Sequence, residues 1–141
     1  MRFAATASRY LLGFIFALFG LNGFLHFLPM AMPTGLAGQF MGALFLSHML
    51  VVVFAVEVIG AALLLANRYV PLALVLLGPV IFNIDLFHMF MAPAGLPLAA
   101  VVTVLWFVVA AAQRSAFAAI FQARVQPETT SSRAVRRPLA A

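Results

Sequence analysis

The sequence predicts an all-α polytopic membrane protein, a four-transmembrane-helix bundle with a short extracytoplasmic helix between helices one and two and a C-terminal interfacial helix. Three observations carry this expectation. Of 141 residues, 66% are hydrophobic and only 8% are charged, where an ordinary soluble domain is roughly a quarter charged. Three acidic and eight basic side chains cannot cover a water-facing surface of this size. Four apolar runs approach the ~20 residues needed to cross about 30 Å of hydrocarbon, and short breaks rich in Pro, Gly or Arg separate them. The absence of cysteine excludes disulfides, thiolate metal sites and electron relay through a cysteine pair. The net charge of +5 does not point to nucleic acid, because the arginines are scattered between apolar runs and form no basic stripe. The expected partner is the lipid bilayer.

The first span runs from about Tyr10 to Leu28, after a short N-terminal segment, residues 1–9. Its apolar run exceeds the roughly 7 to 15 residues of a signal-peptide core, and no small-x-small cleavage site follows it; it is expected to stay as a helix. Residues 29–45, PMAMPTGLAGQFMGALF, are apolar yet broken by prolines, with Thr34 placed to cap a short helix from Gly35. This segment is expected to lie on or dip into the membrane surface, over one mouth of the bundle. The second span covers about Leu46 to Ala66, the third Val70 to Met91 and the fourth Leu96 to Ala112. Pro71 and Pro97 suit first helical turns. The tight breaks at Asn67–Tyr69 and Ala92–Gly95 make successive helices antiparallel neighbours.

Beyond the fourth span, Phe117, Ile120, Phe121 and Val125 fall on one helical face, which suits an interfacial helix. The membrane domain thus extends over residues 10–122, and residues 123–141 lack apolar periodicity and read as a disordered tail. Threading four spans puts Arg2, Arg9, Arg68, Arg114 and Arg124 on one side, with Tyr10 and Tyr69 at the same boundary. Arginines at span ends and boundary tyrosines place that side, and both termini, in the cytoplasm. The expected location is a bacterial-type inner membrane.

Ionisable residues inside spans are rare, since a central Asp or Arg costs about 2.5–3.5 kcal/mol on the mildest insertion scale. Glu57 lies near the midplane of the second span. It reads either as a proton-exchanging or ligand-binding carboxyl facing the bundle interior, or as a structural carboxyl hydrogen-bonded to a neighbouring helix. Gly60, Ala61 and Ala62 beside it allow close helix approach, as does the stripe Gly13, Ala17 and Gly20 on the first span. In the third span Asp85 and His88 share a face and form a candidate pair, the carboxylate holding the imidazole tautomer. Asn83 lies about 140 to 160 degrees from both and is expected to face a neighbouring helix, with Pro79 able to kink the helix between. Asn22 and His26 share a face of the first span, and His48 opens the second. The candidate polar pocket, in the extracytoplasmic half, therefore comprises Asn22, His26, Glu57, Asn83, Asp85 and His88. The histidines come from three helices without a His-x-x-x-His spacing, so no metal is assigned. A head group that exchanges protons with imidazole and carboxyl, a quinone ring being one candidate, fits such a vestibule. Trp106 reads as a packing residue.

RYLLGFIFALFGLNGFLHFLP from Arg9, AVEVIGAALLLANRYVPLALVLLGPVIFN from Ala55, and the Phe87–His88 pair together resemble the DoxX-like small membrane proteins, over about residues 9–122. The resemblance implies a four-helix membrane bundle. Founding members of that family are associated with a thiosulfate:quinone oxidoreductase as a small membrane subunit, and others with redox-homeostasis complexes. It implies no catalytic motif, although Glu57, Asn83 and His88 match the family's polar positions. Three functions follow as expectations: an accessory or partner-docking subunit without intrinsic activity, linked to quinone or redox homeostasis; a membrane subunit of a quinone-linked oxidoreductase; or a small transporter or proton conduit using Glu57. The partner is a redox-complex subunit or a second copy of the chain.

Overall fold

The computed structural model of the protein describes residues 2–118, with side chains from residue 3 onward, and within that range the regular structure is helical. Helix α1 spans Arg2–Leu25, α2 Gly35–Leu46, α3 Met49–Leu65, α4 Val70–Phe90, α5 Leu96–Ala112 and α6 Arg114–Phe117, with a 3-10 turn at Pro93–Gly95 before α5. The expected tail 123–141, and the expected interfacial helix beyond residue 118 with Ile120, Phe121, Arg124 and Val125, lie outside the described residues.

Helix α1 starts well before Tyr10, because Ala4, Ala5 and Ala7 carry the helix through the N-terminal segment. It also stops short of Leu28. The Leu28 amide donates to Asn22 Oδ1 at 2.6 Å, and Asn22 Nδ2 donates to the Leu28 carbonyl at 3.4 Å. This side-chain clasp folds the chain back after His26, which takes a left-handed φ of 52°. Helix α2 starts at Gly35, as the sequence predicts, but Thr34 makes no side-chain cap bond.

The apolar run from α2 into α3 is not one straight rod. The two helices meet at 84°, with Ser47 Oγ donating to the Leu44 carbonyl and His48 left-handed at φ 62°. The second span therefore begins at Met49 rather than Leu46. At 17 residues α3 is about 25 Å long, short of the hydrocarbon thickness. Three helical stretches, Phe3–Leu25, Val70–Phe90 and Pro93–Ala112, are each long and apolar enough to cross a membrane, and α2 with α3 qualifies only as a bent pair.

Helix α1 packs between α3 and α5, and α4 closes the arrangement against the same two. Leu12, Leu64, Leu74 and Leu77 are completely buried at the centre, with Phe16, Ala61, Ala73, Val102 and Val109 around them. Two glycines set the spacing. A Cβ on Gly20 would stand 2.9 Å from Glu57 Cβ, and one on Gly60 would stand 2.6 Å from Leu77, so both backbones approach their neighbours at a distance only glycine allows. Trp106 lies against the core and donates from Nε1 to the Leu74 carbonyl at 3.0 Å, just before the Pro79 interruption of α4. The outward faces are greasy: Leu11, Phe14, Val52, Ile59, Val75, Phe82, Val104 and Phe107 are all exposed. Such continuous apolar exposure around packed helices is that of a membrane protein.

Candidate functional site

The polar residues of the spans do not all meet. Glu57, on the inward face of α3, is 6% exposed. Its Oε2 is buried with no hydrogen-bond partner, and no described residue bonds its carboxyl. Among the described residues the carboxyl makes no bond to a neighbouring helix, and Gly20 brings the α1 backbone against Glu57 Cβ.

Glu57 borders a cavity of about 760 Å³ between α1, α2, α3, α4 and α5, within the usual range for small-molecule sites. Asn22, His26 and His88 border it too, and the rest of the wall is apolar, with Phe19, Phe54, Ile84 and Val102 among its residues. Asn22 is 7% exposed, and its amide is engaged with Leu28 and, at 3.4 Å, with Met30 Sδ. It shapes the cavity more than it offers bonds to a guest.

His88 is held firmly. Its Nδ1 lies 2.9 Å from the Ala92 carbonyl, a contact that requires a proton on Nδ1 and leaves Nε2 of the neutral ring as an acceptor. A Cβ on Gly95 would fall 2.0 Å from His88 Cε1, so the glycine before α5 makes room for the imidazole. The Phe87 ring meets that of His88 edge-on at 5.2 Å and stacks on Phe40 of α2 at 5.9 Å, which ties α2 to the end of α4.

Two predicted members stand apart. Asn83 is exposed on α4 and donates from Nδ2 to the Pro79 carbonyl at 2.8 Å. It faces neither a neighbouring helix nor the cavity, because the carbonyl one turn back is its nearest acceptor. Asp85 does not pair with His88: Oδ2 accepts from Thr103 Oγ1 of α5 at 2.7 Å, while His88 turns to the Ala92 carbonyl. Sharing a helical face did not join them because each had a nearer partner. Thr103, a hydroxyl within a span, was the legible sign of that competing bond. His48 lies at the exposed bend before α3 and not on the cavity.

The loop after α1 and the start of the bend supply what the polar residues alone did not reveal. Met30, Met32, Met41 and Phe45 form part of the cavity wall, and flexible thioethers suit a surface that adapts to differing guests. Their signal was the apolar, proline-broken connection itself. Among the described residues no three histidine, aspartate or glutamate side chains come together as a metal site. The arrangement offers a carboxyl and an imidazole acceptor on the wall of a largely apolar chamber, groups suited to hydrogen-bonding and proton exchange with the head of an amphipathic molecule. No family model, curated protein or solved structure matches the chain.

Proposed function

We propose that the protein is an accessory membrane subunit of the DoxX-like kind, four spans threaded through a bacterial-type inner membrane with both termini in the cytoplasm, which docks the head of a quinone-like molecule. The observation that carries this reading is the unpartnered Glu57 oxygen on an otherwise apolar chamber that also contains His88. A buried acceptor without a partner favours a guest that supplies one. His88 Nε2 provides a second acceptor, and the surrounding aromatic and methionine side chains suit an apolar ring and tail.

The accessory role is preferred to catalysis because the cavity side chains exchange protons and hydrogen bonds, while a chain without cysteine has no thiol pair to carry electrons. Electrons would come from a partner subunit. The conduit reading loses support from the completely buried Leu12, Leu64, Leu74 and Leu77, which lie between the cavity and the arginine-bearing end.

Equilibrium dialysis of the purified chain against a short-tailed benzoquinone and its quinol tests the proposal. Saturable binding is expected, weakened about tenfold in His88→Leu, the loss of roughly one hydrogen bond to a buried group. Binding that is absent, or equal in wild type and variant, refutes the docking role. Quinone reduction by the purified chain with an electron donor would replace it with the catalytic reading.

A further inference from the structure

At the opposite end of the helices a smaller recess of about 230 Å³ lies between the start of α1, the α3–α4 turn and the end of α5. Its polar lining is Thr6, Arg9, Asn67 and Gln113. Arg9 is only 7% exposed. One Nη1 hydrogen bonds to the Leu64 carbonyl in the last turn of α3, and the guanidinium lies 4.1 Å from the centre of the Tyr10 ring. A guanidinium carries five N–H donors, so this one contact leaves most of the fork free.

The charge is also free. Among the described residues the carboxylates are Glu57 and Asp85; Glu57 lies seven residues before Leu64 on α3, about 10 Å along the axis, and Asp85 is bonded to Thr103. The carbonyls at the end of α3 offset a buried cation only in part. The neighbouring Thr6 hydroxyl and the Asn67 and Gln113 amides are neutral groups able to donate. Asn67 and Gln113 are each followed by an arginine, Arg68 and Arg114, which raises the positive potential around the opening.

We propose that this recess is an oxyanion site that takes a phosphate group, with the Arg9 fork as its charged floor and Thr6, Asn67 and Gln113 as additional donors. Phosphate matches the planar guanidinium fork, and the phosphate of an anionic phospholipid is abundant where an arginine-bearing helix end meets the membrane surface. The site is separate from the Glu57 cavity and does not depend on what that cavity holds.

Native mass spectrometry tests it on the full chain released from bilayer discs of mixed phosphatidylglycerol and phosphatidylcholine, with and without added inorganic phosphate. The wild type is expected to retain phosphatidylglycerol in preference. The double variant Thr6→Val with Gln113→Leu spares Arg9 and its bond to α3; it is expected to lose about fivefold of that preference while melting as the wild type does. Displacement of the lipid by inorganic phosphate, or phosphate retained alone, assigns the site to free phosphate; retention of the lipid despite phosphate assigns it to the headgroup. Equal retention of both lipids with no bound phosphate overturns the proposal. So does a double variant that keeps the wild-type preference.

Discussion

A buried acceptor without a donor costs about 1–3 kcal/mol, and Glu57 Oε2 is such an atom. In the ligand-free protein Glu57→Leu is therefore expected to raise stability by that order, because no partner is left behind when the carboxyl goes. Glu57→Gln keeps a polar group in the same place and should gain little. Thermal unfolding of detergent-solubilised wild type and both variants checks the order; a Glu57→Leu variant that melts below wild type would show that the carboxyl has a structural partner after all. The same contrast separates Glu57 from Asn22. Asn22 clasps the Leu28 backbone through both its amide groups, so its removal unfastens the chain reversal after α1, whereas Glu57 fastens nothing. One residue maintains the chamber, and the other leaves a buried oxygen without a partner in it.

The helices show why close packing, rather than propensity, holds these elements together. A Cβ on Gly23 of α1 would lie 2.2 Å from the Phe54 ring of α3, while one on Gly42 of α2 would meet nothing within 4 Å. Gly23→Ala should thus destabilise by about 1–3 kcal/mol through overpacking. Gly42→Ala should stabilise by up to about 1 kcal/mol through helix propensity. Thermal unfolding of the two variants should move in opposite directions, and a common direction would contradict the assigned α1–α3 contact. Most of these elements were legible in the sequence. Pro71 and Pro97 marked the starts of α4 and α5, Gly35 that of α2, and the Gly13–Gly20 stripe the face of α1 that meets α3. The α2–α3 bend was legible in outline, as a surface helix from Gly35 followed by a span from Leu46, but its place at Ser47 and His48 was not, because no proline or glycine marks it and the turn rests on a left-handed His48. The sequence set Asn83 and His88 on different sides of α4 but could not tell which side turns inward. Helices in lipid are apolar all round, so no polar stripe marks which side of α4 turns inward; Thr103 was a legible candidate partner, but the Pro79 and Ala92 carbonyls became visible as partners only in the folded chain.

The whole molecule is polarised along its long axis. One end gathers Arg9, Arg68 and Arg114 around the recess of Thr6 and Gln113; the other gathers Asn22, His26 and His88 beneath α2 and the methionine-bearing loop; completely buried leucines lie between. The positive-inside bias predicts that the arginine end lies in the cytoplasm, which is the orientation proposed above. A membrane potential and an anionic inner leaflet both oppose moving those arginines outward. The absence of cysteine makes the orientation directly measurable, since any thiol introduced is the only one present. Phe90 is 71% exposed at the end of α4, and Arg68 is exposed in the turn that precedes it. In intact spheroplasts a membrane-impermeant maleimide is expected to label Phe90→Cys and to leave Arg68→Cys unlabelled until the cells are lysed. Labelling of Arg68→Cys from outside would invert the molecule, putting the Glu57 chamber on the cytoplasmic side and any partner that shares its occupant there too. Equal labelling of both positions in intact cells would mean that α4 does not cross the bilayer at all.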